Sequence, residues 1–308
     1  MISNFSDGMR VEGQFLVATC TKSINNLGSF YLNVELRDMS GSIGAKKWEV
    51  NSEDENIFVP GNVVFVTGEV VKYRDALQFK ILKAQLVNEE DIDFASLLTP
   101  PPIPREELER RFNEYVKSIK DKDCKALLDY ILNKYSQKIF TYPAGVTVHH
   151  EYSSGLLTHL VSMAELGEYL ANKYQPVNRD LLLTGILLHD VGKTIELEGP
   201  VVYHYSTEGK LLGHISIMVG ELRIAAKELK IESEIPMLLE HMILAHHDKP
   251  EFGSPVSPMT KEALLLTLID NMDSKMAIVT KALETVNPGE FTQKIYPLDG
   301  RTLYKPKK

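Results

Sequence analysis

The run Leu-Thr-Pro-Pro-Pro-Ile-Pro at residues 98–104 constrains the fold of this chain more than any other feature. Proline fixes φ and has no amide proton, so neither a strand nor a helix continues through so dense a cluster. The acidic stretch Asn-Glu-Glu-Asp-Ile-Asp at 88–93 extends the break. Apolar residues alternate before it and recur every three to four residues after it. With 308 residues there is room for two compact domains. The expectation is an α+β multi-domain protein: a β-domain at 1–90, a proline-rich linker at 91–104, an all-α helical bundle at 105–286 and a tail at 287–308.

Alternating segments at Val11–Thr21, Phe30–Arg37, Ile43–Trp48, Val63–Tyr73 and Leu77–Val87 read as five strands separated by Gly, Asn and Asp turns. Asn51–Phe58, polar with an apolar end, fits a short helix between the third and fourth. That order is the order of a five-stranded OB-fold β-barrel, although other small barrels and sandwiches share part of the pattern. The aromatics Phe30, Tyr31, Trp48, Tyr73 and Phe79 interleave with Lys46, Lys47, Lys72, Arg74 and Lys80, as a base-stacking surface with phosphate contacts requires. Most strand aromatics are nonetheless core. Residues 1–90 carry nine Lys/Arg against twelve Asp/Glu, and the whole chain has a net charge of −8, so any polyanion site has to be local.

Helical periodicity marks Arg105–Ile119, Cys124–Tyr135, Ser153–Tyr174, Arg179–His189, Thr207–Leu229, Glu234–Ala245 and Lys261–Thr285. Two cysteines, Cys20 and Cys124, exclude a disulfide framework and a Cys-rich zinc module. With no signal-like amino terminus and no membrane-length apolar run, a cytoplasmic protein without membrane partners is expected.

Seven of the nine histidines lie between His159 and His247. His159 follows Gly-Leu-Leu-Thr, and His189-Asp190 closes the apolar run Leu181–Leu188. His214 stands in Leu-Leu-Gly-His-Ile, His246-His247 in Leu-Ala-His-His-Asp, and Asp270 ends Leu-Thr-Leu-Ile-Asp. Singly, each is more often an ordinary core or surface residue than a ligand. As a set they match the way helical bundles build two-metal sites, by projecting imidazoles and carboxylates from several helices toward one centre.

This order resembles the HD-domain superfamily of metal-dependent phosphohydrolases. The likeness widens over His149-His150-Glu-Tyr-Ser-Ser-Gly-Leu-Leu-Thr-His159, Leu-Leu-His189-Asp-Val-Gly-Lys193 and Ala-Lys-Lys-Trp48. Nearly the whole chain is similar to the YhaM family of 3′–5′ exoribonucleases. The resemblance implies that His159, His189, Asp190 and Asp270 hold one divalent ion. Asp190, as a bridge, would hold a second with His214, His246 and His247. HD proteins with a third metal carry Glu where this chain has Gly155, so two ions are expected. Ser154 replaces an expected Gly and Thr158 an acidic residue, departures that leave the ligands intact. His149 and His150 are not expected to be ligands, and His150 is assigned to substrate. His204 and His241 have no place in the pattern, while Asp248 and Asp273 are expected to orient imidazoles or cap helices.

Two ions about 3.5–4 Å apart activate water and stabilise the leaving oxygen of a phosphodiester. Asp190 and Lys193 are therefore expected to be catalytic, Lys193 by meeting negative charge on the scissile phosphate. The substrate-binding set is His150, Lys193, Trp48, Lys46, Lys47 and Tyr31. The resulting expectation is a 3′–5′ exonuclease on single-stranded RNA, with single-stranded DNA as a further candidate substrate, that releases nucleoside 5′-monophosphates with Mn²⁺ as the metal and Co²⁺ or iron as alternatives. A nucleotidase or cyclic-nucleotide phosphodiesterase is the second reading, and a non-catalytic nucleic-acid-binding module the third. Phe291, Ile295, Tyr296 and Leu298 in the tail call for a partner surface in this chain or in another copy, the basis for expecting a homo-oligomer.

Overall fold

The computed structural model describes residues 1–25, 28–74, 76–97, 102–142, 154–199 and 203–307. The chain divides into two compact units, Met1–Pro100 with Gly199–His204, and Pro101–Glu198 with Tyr205–Lys308.

The first unit contains β1 (Arg10–Ile24), β2 (Phe30–Asp38), β3 (Gly41–Trp48), α1 (Ser52–Ile57), β4 (Val63–Tyr73) and β5 (Ala76–Leu86). The strands close into a barrel in the order β1-β2-β3-β5-β4, every pair antiparallel except β3 with β5. One half of β1 pairs with β4 and the other with β2, and a register shift between Val17 and Thr19 lets the strand turn from one neighbour to the next. Five strands in this order, with a helix between the third and fourth, form an OB-fold. Alternate residues supply the interior: Val17, Leu32, Val34, Leu36, Ile43, Ala45, Val64, Val66, Phe79 and Ile81. Phe79, expected among exposed aromatics, is 1% exposed because it shares the inward face with Ile81. Asn51 caps α1 in a reciprocal capping box with Asp54, and the helix delivers Phe58 into the barrel core.

The barrel unit reaches beyond β5 into the expected linker. Ile92 and Leu97, at either side of the start of α2 (Phe94–Leu97), bury against Leu16 and Val63. The Gln14 amide clamps the same stretch, donating to the Asp91 carbonyl and accepting from Asp93 N–H, both at 2.8 Å. The acidic surroundings of Ile92 and Leu97 disguised two apolar anchors. Residues 98–101 of the proline run lie outside the described residues.

The second unit contains α3 (Arg105–Ser118), α4 (Lys122–Thr141), α5 (Gly155–Lys173), α6 (Arg179–Leu188), α7 (Lys193–Glu196), α8 (Thr207–Glu228), α9 (Ile235–Ala245) and α10 (Lys261–Glu284). Between α7 and α8 the chain forms two short strands, β6 (Leu197–Glu198) and β7 (His204–Tyr205). Asp121, Asn178, Ser206 and Thr260 cap α4, α6, α8 and α10 through side-chain oxygens. Every residue from Leu181 to Leu188 of α6 is buried, which makes this helix the axis of one continuous core. Ser154 precedes α5 at φ 63°, a left-handed conformation that explains why glycine suits the position. The serine holds it by donating its hydroxyl to the Phe140 carbonyl at 2.7 Å.

The tail folds back on its own chain. Phe291 bridges to Tyr304 and Ile295 to Arg301, Leu298 is buried, and Lys305 Nζ donates to the Leu283 and Val286 carbonyls at the end of α10. Phe291 and Tyr296 stay exposed. Among the described residues, no helix is long and apolar enough to cross a membrane.

Candidate metal centre

Helix ends and interiors bring the sequence-predicted ligands together. His159 lies one turn into α5, and His189-Asp190 follow α6 directly. His214 stands after a kink in α8, His246-His247 follow α9, and Asp270 comes from α10. His159, His189, Asp190 and His246 are at most 2% exposed and Asp270 is 9% exposed. Ionisable groups this deep require partners.

One nitrogen of each imidazole is committed to the protein. Nδ1 of His189 pairs with the Ile186 carbonyl at 2.8 Å, that of His246 with the Ile243 carbonyl at 2.7 Å, and that of His247 with the Phe252 carbonyl at 2.7 Å. His159 Nδ1 meets Asp273 Oδ2 at 2.7 Å, and His214 Nδ1 meets Glu196 Oε1 at 3.1 Å. A proton held on Nδ1 directs the Nε2 lone pair inward, which is how metal-binding imidazoles are oriented. Nε2 of His189, His214 and His246, and Oδ1 of Asp190, are buried with no hydrogen-bond partner among the described residues.

Asp190 sits between two groups of these atoms. Its Oδ2 lies 3.4 Å from His189 Nε2 and 3.8 Å from His159 Nε2, while its Oδ1 lies 3.4 Å from His214 Nε2 and 3.9 Å from His246 Nε2. Asp270 Oδ1 is 3.3 Å from His159 Nε2. Three sets have ligand atoms all within 4.8 Å of one another: His159, His189 and Asp190; His214, His246 and His247; and His189, His246 and Asp270. Inward lone pairs and ionised carboxylates in overlapping sets fit divalent first-row ions.

The electrostatics favour the same donors. Burial alone would raise the Asp190 carboxyl, but the Lys193 ammonium and His189 hold it well below the usual range. Asp270 is likewise held low, against burial, by His159. Burial pushes His246 far down and His247 down, so both rings remain neutral. His159 is opposed by burial but raised to about 9 by Asp270 and Asp273, which face its two ring nitrogens. Lys193 Nζ donates to Asp190 Oδ2 at 2.7 Å from a largely buried position.

Two carboxylates stand behind the ligands. Asp273 accepts from His159 and from the Ser162 hydroxyl, the orienting role expected of it. Glu196, which the sequence reading missed, accepts from both the His214 backbone N–H, at 3.0 Å, and its ring. That double contact depends on Gly213, whose φ 70° and ψ 153° kink α8 in a conformation essentially restricted to glycine. Gly192 permits the matching close approach: a Cβ there would sit 2.2 Å from the His214 carbonyl oxygen. A Glu in a four-residue helix offered no periodic signal, although Gly213 beside His214 was a visible clue.

Other expected residues fall elsewhere. His149 and His150 lie outside the described residues. His241 Nε2 accepts from Met259 N–H at 2.9 Å, and His204, in β7, belongs to none of the three sets. Asp248 follows the two histidines at φ 66° and closes the turn after α9. On the barrel, Tyr31 and Trp48 are register partners in β2 and β3, with rings stacked at 4.8 Å. Lys46 Nζ lies 4.9 Å from the Tyr31 ring and 5.3 Å from the Trp48 ring. Lys47 does not join them: its neighbouring position in β3 turns it to the other face, where Nζ lies 3.6 Å from buried Asp54.

The HD domain family model matches residues 156–275, from α5 into α10. The 3′-5′ exoribonuclease YhaM of Geobacillus sp. (strain WCH70) is 45% identical over 306 residues, covering 99% of this chain and 94% of that protein. Among solved structures, the second OB-fold domain of replication protein A from Methanococcus maripaludis is 17% identical, covering 29% of this chain and 93% of that one with a TM-score of 0.25. The p204 HINb domain is 19% identical, covering 28% and 44% with a TM-score of 0.22. The barrel's assignment rests on its own strand order, and the family on the full-length relative. This chain belongs to the family of the 3′-5′ exoribonuclease YhaM and is a metal-dependent phosphohydrolase of the HD type.

Proposed function

We propose that the chain removes nucleotides from the 3′ ends of single-stranded RNA, and of single-stranded DNA, in the cytoplasm, releasing nucleoside 5′-monophosphates. The observation that carries this reading is the division of Asp190, one oxygen facing His159 and His189 and the other facing His214 and His246. On that basis His159, His189, Asp190 and Asp270 hold one ion, and Asp190, His214, His246 and His247 hold the second. Manganese is the first choice and cobalt or iron the alternatives, since mixed His/Asp sites suit several of these ions. Two such ions supply a water activated at neutral pH and a Lewis acid for the phosphate.

The chain's own groups do the rest. Asp190 and Asp270 remain ionised, and His246 and His247 neutral, so protons compete weakly for those ligand atoms. The Lys193 ammonium, poised on Asp190, meets negative charge as it grows on the scissile phosphate. The Tyr31–Trp48 stack with Lys46 offers a base platform and a phosphate contact, which favours a polymer over a free nucleotide. His150 is kept as a substrate contact on the strength of the sequence motif alone.

Incubation of the full chain with 5′-labelled single-stranded RNA and Mn²⁺ tests this reading. A descending ladder with 5′-monophosphates is expected, and Trp48→Ala should raise KM with little change in kcat. An intact polymer beside hydrolysed cyclic or free nucleotides would replace the proposal with a nucleotidase or phosphodiesterase.

A further inference from the structure

We infer that Phe252 stacks on the base of the 3′-terminal nucleotide, on an apolar rim shared with Leu212 at the open side of the metal centre. This rests on the proposed action on RNA.

The centre is unevenly buried. His159, His189 and His246 are at most 1% exposed, whereas His214 and His247 keep contact with solvent, their ring centroids 5.5 Å apart. Those two rings therefore mark one side from which substrate can reach the centre. A turn after α9 stands there, Pro250–Phe252, and it is firmly fixed: the Phe252 carbonyl accepts from His247, and the fully buried Ser254 hydroxyl accepts from His247 N–H at 2.9 Å. Gly253 follows at φ 102°. These anchors are backbone atoms and a serine, yet the Phe252 side chain leaves the residue 67% exposed. Burial does not explain an aromatic ring at that place.

Leu211 and Leu212, 77% and 54% exposed, come immediately before the Gly213 kink that places His214. The two segments adjoin, since a Cβ on Gly253 would come within 3.8 Å of the Ile215 side chain. Charges nearby are mixed, Lys249 with Glu251 and Glu208 with Lys210, so the rim offers no cationic cradle of its own. An exposed aromatic beside two aliphatic side chains suits a nucleobase face, and stacking is tolerant of base identity. That tolerance is what removal of successive different nucleotides demands.

The test uses the full chain with Mn²⁺ and two RNAs that differ only in whether the 3′-terminal nucleotide carries its base. Wild type should remove the base-bearing nucleotide about tenfold faster than the abasic one, the order expected for one stacked base. Phe252→Ala should lose about the same factor on the base-bearing end, chiefly in KM, and little on the abasic end. Phe252→Trp should restore the discrimination, and metal content by mass spectrometry should match wild type in both variants. Equal losses on both RNAs, or none on either, would overturn the stacking role. A wild type that hydrolyses bis(p-nitrophenyl) phosphate but shortens neither RNA would overturn the proposed substrate, and this inference with it.

Discussion

Glu196→Ala removes one oxygen that receives both the backbone and ring N–H of His214, at 3.0 and 3.1 Å. Losing a carboxylate that orients a metal-binding imidazole costs about 10–100-fold in affinity, equivalent to about 1.4–2.7 kcal/mol. Two donors left without their acceptor also destabilise the fold, by about 1–3 kcal/mol for each that stays buried. Titration calorimetry of Mn²⁺ into the metal-free chain should therefore show one binding step unchanged and the other weakened by that factor. Glu196→Gln retains an acceptor while losing the charge and should fall between wild type and alanine. Gly213→Ala should weaken the same step, because its backbone conformation costs a non-glycine residue about 1–3 kcal/mol. Two unchanged steps in Glu196→Ala would refute the view that Glu196 sets the His214 ligand.

Asp180 Oδ2 accepts from the Lys120 and Asp121 backbone N–H groups at 2.7 and 2.8 Å, tying the α3–α4 turn to α6. Burial would raise this carboxyl, but those bonds and Arg179 lower it, so its stabilisation is complete above the unfolded-state value and disappears as pH falls through the native one. Asp180→Asn should lose about 1–2 kcal/mol at pH 7 by denaturant melting and approach wild type in acid; a constant gap across pH would contradict this. Burial pushes the Cys124 thiol up to about 12, whereas Cys20 is half-buried and less strongly raised. A thiol reagent at pH 8 should label Cys20 readily and Cys124 only as fast as the chain unfolds; rapid labelling of both would count against the packing around α4.

Much of the architecture was legible because it depends on local periodicity. Alternation marked all five strands, and the Asn51–Phe58 segment contained the helix at Ser52–Ile57. In the helical unit the spacing of apolar residues located the main helices, but α4 continues from Tyr135 to Thr141 because Ile139 reaches the core from within a polar run. The inward histidines could be grouped because each stands beside an apolar helix segment that is bound to be buried. Tertiary pairing was harder to read. Glu196 acts on His214, eighteen positions away, through the kink at Gly213, and no repeat links the two residues. Lys47 shows a period-two signal overlooked, since a lysine adjacent to Lys46 in a strand has to face the other way.

The central claim is that Asp190 serves two ions at once, and metal content measured by mass spectrometry on desalted protein tests it directly. Wild type loaded with Mn²⁺ should retain two ions per chain, and Asp190→Ala should retain neither firmly while circular dichroism stays native. One ion in wild type, or two in Asp190→Ala, would contradict the account.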